Sequence, residues 1–101
     1  MAAPKLIFDL AALDDDGLIG PPGGRVAVAY EFCIPATDAH AASVRAIDPM
    51  AAVQPGSPGR IGCGPGQWLV VGSTHQPGWR VVLERLAALP YVARIDRAVF
   101  E

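Results

Sequence analysis

Three features of this sequence predict an α+β domain in which two amphipathic helices cover one face of an antiparallel sheet. From Val26 to Cys33 large and small side chains alternate, with Val26, Val28, Tyr30 and Phe32 on one side and Ala27, Ala29, Glu31 and Cys33 on the other. A period of two is the mark of a strand with one buried face. Trp79, Val82, Leu83, Leu86 and Leu89 recur at three- and four-residue steps, with Arg80, Glu84 and Arg85 turned outward, which is a helix with a single apolar stripe. Gly64-Pro65-Gly66-Gln67 puts proline where a type II turn restricts φ and glycine where it needs positive φ, so the chain reverses before the apolar run that follows.

Composition narrows the class. At 101 residues there is room for one hydrophobic core, and 51% hydrophobic against 18% charged residues places the chain with globular rather than disordered sequences. The formal net charge is −2 and the basic residues are dispersed singly, so no stripe suited to phosphates exists and nucleic acid is not an expected partner. No apolar run approaches the ~18 residues of a membrane span, so no membrane association is expected. Asp9 interrupts what would be the apolar region of a signal peptide, and the expected location is the cytoplasm. Cys33 and Cys63 are too few for a disulfide framework, and both are expected as reduced thiols.

Taken in order, Leu6 to Leu10 reads as a short strand or a helical turn, followed by the polar turn Asp14-Asp15-Asp16-Gly17. An EF-hand needs acids at alternate positions and a glutamate at the twelfth, a pattern missing here, so the acidic triplet reads as a solvated turn. Gly20-Pro21-Pro22-Gly23-Gly24 then breaks any regular element. Residues 1–24 are therefore an extension and linker, able to add an edge strand, and residues 25–101 form the domain. The strand from Arg25 to Ile34 stops at Pro35. Thr37 or Asp38 caps a helix through Ile47, with Ala41, Val44 and Ile47 as its stripe, and Asp48-Pro49 ends it. After a second break at Pro55 to Gly59, Arg60–Cys63 and Gln67–Ser73 read as the two arms of a hairpin. Pro77 suits the first turn of the second helix and Pro90 closes it. Tyr91 to Phe100 reads as a final strand, with Tyr91, Ala93, Ile95 and Val99 on one side, Arg94 and Asp96 on the other, and Arg97 interrupting the apolar side.

From residue 25 the order strand, helix, strand, strand, helix, strand resembles the ferredoxin-like βαββαβ sandwich, with sheet order 4-1-3-2 and both helices on one face. The resemblance is to a fold that hosts many unrelated functions, and it implies no activity. It places Cys33 and Cys63 near one end of the sheet but two strands apart, roughly 10 Å, beyond the reach of a disulfide.

Cys33, Cys63 and His40 fall at that same end, yet no C-x-x-C or H-x-x-x-H spacing assembles a metal site, and buried thiols are the preferred reading. No metal or cofactor is expected. Gly62-Cys63-Gly64-Pro65-Gly66 lacks the third glycine and following helix of a dinucleotide loop, and the lysine of a Walker loop. Two candidate sites remain. The helix-free sheet face, with Ala29, Glu31, Cys33, Arg94 and Asp96, offers a ligand or partner surface on which Glu31 and Arg94 are expected to pair. The start of the second helix, with Arg25, Thr74, His75 and Gln76, offers an anion site, weighed against ordinary helix capping.

The first-ranked function is a small non-catalytic binding or regulatory domain acting through its open sheet face, as a homodimer or with a protein partner. A small enzyme or anion-binding protein using His75 ranks second, and an inhibitor or immunity-type interaction protein third.

Overall fold

The computed structural model describes residues 12–98. Among them the elements follow in the order β1 (Leu18–Ile19), β2 (Val26–Ala27), β3 (Ala29–Pro35), α1 (Asp38–Ile47), β4 (Ala52–Gln54), β5 (Gln67–Ser73), α2 (Trp79–Ala87) and β6 (Asp96–Ala98). The expected strand at Leu6–Leu10 lies outside the described residues, as do Val99 and Phe100. The fold is α+β with two antiparallel sheets: β1 pairs with β2, and a four-stranded sheet has the order β4-β5-β3-β6. The first and last strands of the predicted pattern, β3 and β6, are therefore neighbours.

The alternation in β3 decides which way its residues face. Tyr30, Phe32 and Ile34 enter one core cluster with Val70 of β5, Ala41 and Val44 of α1, and Leu83 and Leu86 of α2. Each of the larger side chains contributes roughly 1.5–3 kcal/mol by leaving water. Both helices thus lie on the same side of the sheet. α1 begins where the Thr37 hydroxyl accepts the amide of His40 at 3.1 Å, and ends at Asp48, extended ahead of Pro49. α2 starts after Gly78, whose φ of +69° turns the chain into the helix, so Pro77 precedes the first turn rather than occupying it.

A buried polar cluster accompanies this core. The Tyr30 hydroxyl donates to Asp48 Oδ2 at 2.5 Å, and Asp48 Oδ1 accepts from Gln76 Nε2 and the Met50 amide, both at 3.1 Å. Asp48 is fully buried. Burial first, and then the adjacent Asp48 carboxylate, push the Tyr30 phenol above its ordinary value, so it remains a neutral donor.

The structure departs from expectation in five respects. The predicted arm Arg60–Cys63 is a turn, because Gly59 and Gly62 take positive φ and the amides of Gly62 and Cys63 both donate to Pro58 O at 3.1 and 2.8 Å. β5 pairs instead with β4, although the turn before it forms as predicted, with Gln67 N–H donating to Gly64 O at 3.1 Å and Gly66 at φ +77°. The strand added by the extension, β1, makes a separate pair with β2 and leaves the edge of the larger sheet alone. On the final segment the buried residues are Val92, Ile95 and Ala98, because residues 92–94 are irregular and β6 begins only at Asp96. Finally, Cys33 and Cys63 are not thiols: they form a disulfide with Cα atoms 5.6 Å apart. The estimate of two strand spacings failed because Cys63 lies in no strand.

Candidate functional site

Residues 55–66 generate the site. Unable to extend, this segment folds back from β4 across β5 on the helix-free face of the sheet. Gly59 rests on Leu69 so closely that a Cβ there would be 2.7 Å from Leu69 Cδ1 and 3.1 Å from Glu31 Oε2. The next anchor is Ile61, whose N–H donates to Glu31 Oε1 at 2.5 Å and whose carbonyl accepts from Arg94 Nη2 at 3.3 Å. Cys63 then closes the crossing through its bond to Cys33 of β3.

The face expected to be open is consequently covered over its middle by the chain itself. Glu31 is only 3% exposed, and Leu69 is buried although it stands outside the main core cluster. Glu31 and Arg94 do not pair with each other; they hold the two ends of one residue, Ile61. Arg94 pairs with Asp96 Oδ2 at 3.3 Å. Asp96 is the register partner of Glu31, and its Oδ1 is buried without a hydrogen-bond partner among the described residues. Ala29, half-buried, lies one row further along, opposite Ser73 and Ala98.

Between this covering segment and residues 91–94 is a cavity of about 300 Å³ lined by Cys33, Ile61, Gln67, Tyr91, Ala93 and Arg94. The Tyr91 ring meets His40 edge-on, with centroids 4.6 Å apart, and its hydroxyl oxygen is buried without a partner among the described residues. Arg94 is the one charged group of this lining, and its side chain is 52% exposed. Of the five residues expected on this face, Cys33 and Arg94 line the cavity, Glu31 lies beneath Ile61, Asp96 backs Arg94, and Ala29 is outside.

The second candidate site is dispersed. Thr74 is fully buried: its hydroxyl donates to Gly17 O at 2.6 Å and accepts from Val28 N–H at 2.8 Å, so it neither caps α2 nor faces solvent. Arg25 pairs with Asp14 at 2.8 Å. Gln76 donates to Ser73 O and Asp48, while His75 is exposed. His75 and Gln76 do border a concavity of about 510 Å³, but its other walls include Asp15 and Asp16, carboxylates that an anion would meet on entry. The acidic turn is organised by Asp14, whose Oδ1 accepts the amides of Asp16 and Leu18 at 2.9 and 3.0 Å.

Ile61, Gln67 and Tyr91 escaped the sequence reading because nothing local marks them as neighbours. Asp48 carried one usable signal: a tyrosine on the buried face of β3 needs an acceptor for its hydroxyl. Among the described residues no helix is long and apolar enough to cross a membrane, and no cluster of metal-ligating side chains forms. No protein-family model, curated protein or solved structure matches the chain.

Proposed function

We propose that this chain is a small non-catalytic binding domain, ferredoxin-like in its core, that admits a small organic anion to the cavity between Ile61 and residues 91–94. Counted from β3, the sheet order reads 2-3-1-4, and a helix follows the first and third strands, which supports the ferredoxin-like reading.

The observation that carries the functional reading is Arg94. Its guanidinium, half exposed on the cavity lining, has donors to spare beyond those used by Asp96 and Ile61 O. A planar fork of this kind recognises a carboxylate in pairs of hydrogen bonds. Ile61, Ala93, the Tyr91 ring and the cystine supply apolar walls for the rest of the ligand. A volume of about 300 Å³ is at the low end for ligand sites, which favours an aromatic or short aliphatic acid over a nucleotide. Self-association or a protein partner ranks behind this, because residues 55–66 leave only the rim of the sheet face for docking. A cytoplasmic location is compatible with the Cys33–Cys63 bond only if that bond is cycled, since the cytosol keeps thiols reduced.

Titration of ¹⁵N-labelled protein with benzoate tests the reading. Saturable shifts are expected at the amides of Ile61, Gln67 and Ala93 and at the Arg94 side chain, and they should vanish in Arg94→Gln while the core amides of Phe32, Leu83 and Leu86 keep their parent positions. Shifts centred on His75, or none at all, would overturn it.

A further inference from the structure

We infer that the Cys33–Cys63 bond is a thiol–disulfide switch that holds residues 55–66 over the sheet, so that its reduction dismantles the cavity while the core stays folded. The inference rests on the cavity being the binding site only for its effect on ligand. Its structural part stands independently.

Three observations converge. First, residues 55–66 contribute nothing to the hydrophobic core cluster, whose buried residues come from the strands, the helices and Leu13, Val28, Val92 and Ile95. Apart from the disulfide, the middle of the segment is held by the two hydrogen bonds of Ile61 and by the contact of Gly59 with Leu69, while its ends stay anchored through Ser57 N–H to Gln54 O at 3.3 Å, the Gly64–Gln67 turn, and Gly66 O, which accepts from Ala36 N–H at 3.0 Å. Few buried apolar contacts and a loop rich in glycine and proline are the physical marks of a unit that opens locally below the cost of global unfolding. Second, the closed state keeps the Glu31 carboxylate away from water with a backbone N–H as its hydrogen-bond donor. Burial of a carboxylate is costly, so opening is favoured by its rehydration once the covalent tie is gone. Third, both cysteines are partly exposed and Cys33 lines the cavity, so an attacking thiolate has a route to the bond.

The exchange balances with a dithiol as reductant. One thiolate of the dithiol attacks Cys33 or Cys63, the S–S bond breaks, and a mixed disulfide forms as the other sulfur leaves and takes up a proton. The second thiol of the reductant then displaces the remaining sulfur. Two electrons and two protons pass to the protein, leaving Cys33 and Cys63 as thiols and the dithiol as a cyclic disulfide. Freed of its tie, the segment carries Ile61 away from Glu31 and Arg94, and the cavity loses the wall that Ile61 forms.

Hydrogen exchange of the native protein with and without dithiothreitol decides the matter, with Cys33→Ser/Cys63→Ser as a reductant-free mimic of the open form. Reduction is expected to proceed in the folded protein, to raise exchange of the Ile61 amide by about tenfold or more, and to leave the amides of Leu83, Leu86 and Phe32 unchanged. The benzoate-induced shifts should disappear in step. Three results would each overturn the switch: a bond that resists dithiothreitol until the domain is denatured, reduction that deprotects the core amides together with Ile61, or an Ile61 amide equally protected in both redox states. If Ile61 opens on reduction but oxidised protein never binds benzoate, the switch stands and the ligand reading falls.

Discussion

Gly72 lies directly opposite Tyr30 across β3 and β5, and its lack of a side chain is what lets the phenol reach Asp48. A Cβ at this position would sit 2.5 Å from Tyr30 Cε1 and Cζ and 2.6 Å from its hydroxyl oxygen. Nonbonded heavy atoms rest at roughly 3.5–4.0 Å, so in Gly72→Ala the ring has to retreat by about 1 Å. It has little freedom to do so, being fully buried, stacked 6.5 Å from the Phe32 ring, and hydrogen-bonded to Asp48 at 2.5 Å.

Two costs combine. Overpacking of a core contact costs about 1–3 kcal/mol, and loss of a hydrogen bond to a charged, buried carboxylate costs about 1.5–3 kcal/mol. Gly72→Ala is therefore expected to remove about 2.5–6 kcal/mol, a large share of the roughly 5–15 kcal/mol of a typical domain. Urea unfolding of Gly72→Ala, Tyr30→Phe and the double variant measures the coupling. Tyr30→Phe should cost about 1.5–3 kcal/mol alone but under about 1 kcal/mol in the Gly72→Ala background, where the hydroxyl has already been pulled from Asp48. Strict additivity, or a Gly72→Ala variant within about 0.5 kcal/mol of the parent, would show that Gly72 does not control the Tyr30–Asp48 bond.

Two other outcomes test neighbouring parts of the molecule. Thr74→Val strands Gly17 O and Val28 N–H, which the hydroxyl now bridges, and should destabilise by about 2–4 kcal/mol in thermal melts, with Thr74→Ser recovering most of it. The Asp14 carboxyl is held below its usual value of 3.8, first by the Leu18 amide and further by Arg25. A depressed folded value means that this contribution is present above pH 3.8 and is lost as pH falls through the folded value. Asp14→Asn should flatten that acid limb of a urea-midpoint-versus-pH curve, and an unchanged limb would show that other carboxylates carry it.

Both helices were legible in the chain because their causes are local. The Thr37 cap, the Asp48-Pro49 stop and the apolar spacing of Trp79, Leu83 and Leu86 act within a few residues. The alternation through Tyr30, Phe32 and Ile34 and the turn at Gly64–Gln67 were legible on the same grounds. Arg60–Cys63 is not a strand because four residues carry too little periodicity to outweigh the glycines on either side of Ile61. With Cys63 in a strand the cysteines would stand too far apart to bond and the helix-free face would be left open, while the low cysteine count points to thiols independently of that assignment.

The two helices, the buried side of β3 and the turn before β5 follow from the amino-acid order, because those preferences arise from contacts between near neighbours. That residues 55–66 return over the sheet, join Cys63 to Cys33, seal Glu31 and leave a cavity beside Arg94 is set by contacts distant in the chain. The path of a loop without its own hydrogen-bond ladder is set by what it meets across the fold, here a buried carboxylate, a cysteine and a guanidinium lying 30 or more residues away in the chain.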